Sequence, residues 1–196
     1  MDGLMLYEPA DIIIHMQGKG IVVKEKSVVA YQKSDNKIVA VGTEAYGMAQ
    51  SPAEDMVVVS PLRQGRVADF HVAVALFSDM LTKAIGKRPI LKPAVAVCVP
   101  EGITPVEKKA LEEVLKVAGA RELFITDIPA EKFIREFSDI FPKEFRKYKI
   151  IIGIMKDEPE RYVREGLRDI LAYALQEQIP LERVDELLLG LKESKR

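Results

Sequence analysis

An α/β fold with a mixed sheet is what this sequence of 196 residues predicts, on three observations. Short β-rich runs crowd its first sixty residues. After Gly65 the rhythm changes to alternating helical and extended stretches, the pattern of βαβ units. The stretch Thr104-Pro105-Val106-Glu107 then carries a complete helix start, with Thr at the N-cap, Pro at N1 and Glu at N3.

In chain order, Asp11–Met16 and Gly20–Lys24 read as strands joined by Gln17-Gly18-Lys19-Gly20, whose glycines supply the positive φ of a tight hairpin turn. Val28–Tyr31 and Lys37–Val41 follow, divided by the turn-like Ser34-Asp35-Asn36, and Met56–Val59 ends the β-rich part. Asp69 predicts an N-cap for a helix that carries Val72, Leu76, Met80 and Leu81 on one face. Val95–Val99 reads as a buried strand, Gly119 closes the Pro105 helix, and Glu122–Ile125 and Tyr148–Ile152 supply two more strands. Two amphipathic helices are expected at the end, one with Val163, Leu167, Ile170, Leu171 and Ala174, the other with Leu181, Val184, Leu187, Leu188 and Leu191.

An apolar fraction of 48% and a charged fraction of 30% suit one sizeable core. A net charge of −1 gives no reason to expect nucleic acid. The single Cys98, inside an apolar run, reads as a small buried hydrophobe, so neither a disulfide framework nor a cysteine zinc site is expected. His15 and His71 have no partner at ligand spacing and read as structural, and Arg146, Lys147 and Lys149 as a solvated basic edge. No basic-then-apolar signal opens the sequence and no apolar run nears the ~20 residues of a membrane span, so a cytoplasmic protein is expected.

Several motifs share one order and spacing with a known family. They are Gly18-Lys19-Gly20-Ile21-Val22, Ser27-Val28-Val29-Ala30, Pro61 to Phe70, Val99-Pro100-Glu101-Gly102-Ile103-Thr104 and Val117 to Ile125. Over roughly Ile12 to Phe137 the sequence resembles the first structural half of MreB and Mbl, the rod-shape-determining bacterial actin homologues. The resemblance implies an actin-like domain I with a ribonuclease-H-like core. It also implies a small inserted subdomain, placed over 31–65. Beyond Phe137 the sequence does not align with the family; one domain over residues 1–196 is expected, with the two amphipathic helices as an extension over 159–196 and the second actin-like half missing.

The nucleotide-binding parts of that family are written over. Its first phosphate loop, Asp-Leu-Gly-Thr-Ala-Asn-Thr, stands immediately before the first hairpin, where this sequence has Leu6-Tyr7-Glu8-Pro9-Ala10-Asp11-Ile12. Leu6 removes a carboxylate for magnesium-bound water, Glu8 replaces a glycine, and Pro9 lacks an amide N–H. A carboxylate ~4 Å from a phosphate charge costs about 4 kcal/mol at an effective dielectric near 20. The family's water-positioning Glu-Glu-Pro reads Asp127-Ile128-Pro129 here, and isoleucine neither orients water nor accepts a proton. The glycine-rich second loop has only Gly153, then Lys156-Asp157-Glu158, at the corresponding place. No catalytic residue, cofactor or metal is therefore expected.

What the resemblance leaves in place is binding. The family docks on the inner membrane face through a hydrophobic loop before a Lys-Pro pair, which matches Ile90 and Leu91 flanked by Lys87, Arg88 and Lys92. The alternative is an ordinary loop with the two apolar residues tucked under its own core. The family's protofilaments pair through the region of the Pro105 helix, which makes Val106 a candidate contact; a solvated amphipathic helix is the other reading. Leu187, Leu188 and Leu191 either pack back on the domain or form a dimer face. The expectation is a non-catalytic, MreB-like cytoskeletal protein linked to cell shape, binding itself, full-length MreB or an anionic membrane surface. The alternative is a divergent ATP-binding filament former.

Overall fold

The structure, a computed structural model, describes residues 7–49, 53–87, 92–137, 147–155 and 158–159. By internal contact the chain divides into two compact units, residues 1–4 with 9–158 and residues 5–8 with 159–196. Tyr7–Glu8 (β1) pairs with the short strand Glu158–Pro159 (β12). The expected helices with Val163 to Ala174 and Leu181 to Leu191 lie outside the described residues, as do Leu6, Arg88, Ile90 and Leu91.

The first unit is built on a five-stranded mixed sheet. Asp11–Met16 (β2) and Gly20–Lys26 (β3) form the expected antiparallel hairpin, with Gly18 and Gly20 at φ 82° and 80° in its turn. Ala94–Cys98 (β9), Glu122–Thr126 (β10) and Ile150–Ile154 (β11) add to it in the order β10-β9-β11-β2-β3. Strands β9, β10 and β11 are parallel, and β2 runs antiparallel to β11.

The alternation of side chains along these strands sorts them between two faces. Val95 and Val97 of β9, Ile12 and Ile14 of β2, and Ile150, Ile152 and Ile154 of β11 enter the larger core. Phe70–Ile85 (α2) and Pro105–Ala118 (α3) cover it, burying Leu76, Phe77 and Met80 from one helix and Leu111, Val114 and Leu115 from the other. Ala94, Ala96, Cys98, Ile13 and Ile151 line the opposite face beneath Ala130–Phe137 (α4), with Phe133 fully buried over them.

Both long helices start as the sequence predicts. Asp69 caps α2, its Oδ1 accepting from the Val72 N–H at 3.0 Å. Thr104 and Glu107 close a reciprocal box on α3: the Glu107 N–H donates to the threonine hydroxyl, and the Thr104 N–H to the Glu107 carboxylate at 2.7 Å.

Where the inserted subdomain is expected, Val29–Gln32 (β4), Ile38–Val41 (β5) and Met56–Val59 (β6) make a three-stranded sheet in the order β5-β4-β6. A short helix, Thr43–Met48 (α1), lies against it. Glu25 of β3 supplies the cap that this helix lacks in its own sequence, accepting from the Thr43 N–H at 2.7 Å and pairing with Lys83 of α2 at 2.9 Å. The chain crosses from β3 to β4 at Ser27 and leaves β6 at Ser60, and the two hydroxyls sit 3.2 Å apart.

Helices α1 and α4 and the hairpin Leu62–Arg63 (β7) with Arg66–Val67 (β8) are not among the sequence expectations. The last strand also differs, running Ile150–Ile154 rather than Tyr148–Ile152. Tyr148 instead packs its ring 6.0 Å from Phe124 and reaches Glu122, while the Lys149 carbonyl accepts from the Gln17 N–H.

Candidate functional site

Parallel strands in an open α/β sheet present their carboxyl ends as a crevice. Here the ends of β9, β10 and β11 enclose a cleft of about 220 Å³. Cys98, Val99, Pro100 and Glu101 form one wall where β9 gives way to the loop before α3. Asp127, Pro129 and Ala130 form a second between β10 and α4, and Ile154 and Met155 the third at the end of β11. Behind the first wall the β7–β8 turn packs closely. Gly65, at φ 77°, has no room for a Cβ, which would lie 2.6 Å from Pro100 Cδ and 2.8 Å from Ile103 Cδ1.

The charge in this cleft is acidic. Glu101 and Asp127 are its carboxylates, and Lys108 Nζ lies 4.0 Å from Asp127 Oδ2. The start of α3, the end of a helix whose N–H groups suit an anion, is occupied by its own capping box. Thr104 holds the Glu107 carboxyl below the usual carboxylate range through backbone and hydroxyl bonds, aided by the charge of Arg66.

The two halves of the Asp127-Ile128-Pro129 motif go to different places. Asp127 lines the cleft, whereas Ile128 lies against the smaller core beside Phe124 and Ile134. The Ile128 N–H donates to Thr126 Oγ1 at 3.2 Å.

The stretch Leu6 to Ile12, matched to the first phosphate loop, does not form a turn of open N–H groups over its described part. Pro9 and Ala10 are buried, and Asp11 and Ile12 already belong to β2. Three successive carbonyls are engaged: Pro9 accepts from Lys26 Nζ at 3.5 Å, Ala10 from the Ser27 N–H at 2.8 Å and Asp11 from the Met155 N–H at 3.0 Å. Asp11 Oδ1 also pairs with Lys26 at 3.0 Å. Gly153, read as the remnant of the second loop, stands inside β11 rather than in a loop.

The candidate contact sites divide the same way. Lys87 and Lys92 are exposed, and the apolar pair between them lies outside the described residues. Val106 is 79% exposed and Val117 64%. Eleven residues apart, at about 100° per residue, they lie on one outward face of α3, with Lys109, Glu113 and Lys116 exposed along it. Leu187, Leu188 and Leu191 are not described.

A second and larger hollow, about 450 Å³, lies between the small sheet and the start of α2 and has no counterpart in the sequence reading. Tyr31, Asn36, Ile38, Asp69, His71, Val72 and Ala75 line it. His71 meets Phe70 edge to face at 5.7 Å, and burial lowers the His15 pKa. Among the described residues no helix is long and apolar enough to cross a membrane.

The sheet order, the covering helices and the inserted small sheet define an actin-like α/β domain. Solved relatives agree: the crystal structure of MreB5 of Spiroplasma citri bound to ADP superposes with a TM-score of 0.55 at 29% identity, covering 61% of this chain and 35% of that one. The same protein bound to AMPPNP gives 0.54 at 27% identity, over 68% and 40%.

The profile of the MreB/Mbl protein family matches residues 8–134, and the chain belongs to that family. It is 36% identical over 132 residues to the cell shape-determining protein Mbl of Bacillus subtilis, and 34% identical over 126 residues to MreB of Escherichia coli K12. Those alignments cover 67% and 61% of this chain but only 40% and 36% of the relatives' length.

Proposed function

We propose that this chain is a non-catalytic interaction protein of the MreB/Mbl cytoskeleton with a role in cell shape. The observation that carries the reading is the cleft at the strand ends, where two carboxylates stand on apolar walls beside a segment, Pro9 to Asp11, whose carbonyls are already bonded. A nucleotide phosphate there meets like charge.

Cell-shape function follows from the names of its relatives, and partner binding from the exposed face of α3. That face carries two apolar side chains among alternating charges, which suits a second copy or full-length MreB. The peripheral site is the loop with Ile90 and Leu91 flanked by Lys87, Arg88 and Lys92. The apolar pair contributes ~0.5 kcal/mol each, and each basic residue ~1 kcal/mol near anionic lipid. The sum of roughly 4 kcal/mol gives only millimolar binding for one copy, so attachment to a membrane requires several copies acting together.

Co-sedimentation with purified full-length MreB filaments tests the reading. The wild-type chain is expected to pellet with filaments and Val106→Asp/Val117→Asp to stay in solution. Equal behaviour of the two, or no pelleting of either, contradicts it. Vesicles of anionic phospholipid test the membrane arm in the same way with Ile90→Glu/Leu91→Glu. The second reading, a divergent ATP-binding filament former, draws on Spiroplasma citri MreB5 having been solved with ADP and with AMPPNP.

A further inference from the structure

We propose that β11 is a built-in complementing strand, filling from within the same chain a gap that the family-matched segment leaves at the centre of its own sheet. The family match ends at residue 134, yet the strand between β9 and β2 is Ile150–Ile154. Strands β9 and β2 bond to β11 on either side, in register Ile150↔Val95 to Gly153↔Cys98 and Ile150↔Met16 to Ile154↔Ile12. Taken out, β11 leaves two rows of buried backbone donors and acceptors facing an empty slot, which a folded core does not tolerate. Residues 8–134 of this chain therefore do not close a sheet by themselves.

The strand is fitted to that slot along its whole length. Every residue of β11 is buried. Ile150, Ile152 and Ile154 enter the larger core and Ile151 the smaller. Gly153 passes under α4 where no side chain fits: a Cβ there would stand 2.6 Å from Ala130 Cβ and 2.8 Å from Ile13 Cγ1. Both ends are locked to β2, by the Gln17 N–H on the Lys149 carbonyl at 2.8 Å and by the Met155 N–H on the Asp11 carbonyl at 3.0 Å. The second lock sets Ile154 and Met155 as the third wall of the cleft. The strand that completes the fold also makes that wall apolar.

The full-length variant Met16→Cys/Ile150→Cys tests this, because the two positions are directly opposed in the antiparallel register. Opposed pairs lie within the ~4.4–6.8 Å between Cα atoms that a disulfide spans. Mild oxidation is expected to give an intramolecular bond, monomeric on a non-reducing gel and mapped by peptide mass spectrometry. A bond between two chains, or two thiols that stay reactive toward maleimide in the folded protein, overturns the proposal. Hydrogen exchange on full-length Gly153→Ala gives a second readout. Amides of β2, β9 and β11 are expected to lose at least tenfold protection together while β4 to β6 keep theirs. Loss confined to β11 overturns it.

Discussion

The two faces of the central sheet are built differently, and the difference lies in the size of the side chains their strands present. The larger face is covered by α2 and α3, both inside the matched segment, and its helices present large aliphatic and aromatic side chains to Val95, Val97, Ile12 and Ile14. The smaller face uses Ala94, Ala96 and Cys98 and relies on Phe133, Tyr148 and Phe124 for bulk. Both faces also take residues from beyond residue 134: Ile150, Ile152 and Ile154 on the larger, Tyr148 and Ile151 on the smaller. Both faces reach the cleft, the larger through Val99 and Ile154 and the smaller through Cys98 and Ala130.

Truncations on the two faces should break unequally. Phe77→Ala opens a hole in the larger core and is expected to cost about 4 kcal/mol, whereas Phe133→Ala under the shorter α4 should cost nearer 3 kcal/mol. Urea unfolding of both variants measures the gap, and a larger loss for Phe133→Ala reverses the comparison. Gly153→Val forces a side chain between Ala130 and Ile13, and overpacking of about 2–3 kcal/mol is expected. A midpoint within error of wild type would show that α4 lifts away freely.

Thr104→Ala removes the cap of α3 on the larger face and should cost ~1 kcal/mol. The same measurement checks it, and a neutral result would mean that Glu107 alone secures the helix start.

Glu25 gives the pH-dependent counterpart. Burial pushes its carboxyl up, but the Thr43 N–H and the bond and charge of Lys83 outweigh that and hold it below its ordinary 4.5. A carboxyl depressed in the folded state adds stability that is fully present above the unfolded value and is lost as pH falls through the folded one. Wild type should therefore lose more stability than Glu25→Gln on acidification through and below the ordinary carboxylate range. Parallel acid-unfolding curves would contradict that cap. Val106→Asp/Val117→Asp should leave stability within about 0.5 kcal/mol while abolishing filament co-sedimentation.

Much of the larger face was legible in the sequence because its signals are local. The two-glycine hairpin, the Asp69 cap and the Thr104-Pro105-Glu107 start each act within a few residues, and the structure shows all three. Helix α1 was not legible because its cap, Glu25, lies on another strand and Gly42 before it, at φ 77°, signals only a turn. Helix α4 carries Ala130, Phe133, Ile134 and Phe137 at helical spacing, a signal hidden by the reading of Asp127-Ile128-Pro129 as a catalytic remnant. The position of β11 is a long-range fact: five apolar residues reveal a buried strand but not its neighbours. Of the cleft, Asp127 was legible and Glu101, Cys98 and Met155 were not, since only the parallel order of β9, β10 and β11 brings their ends together.

The central claim is that the family's fold persists here with its nucleotide site replaced. Isothermal titration of the full-length chain with Mg-ATP tests it most directly. The account predicts no saturable heat up to millimolar nucleotide. A micromolar dissociation constant would contradict it and restore the reading of an ATP-binding filament protein.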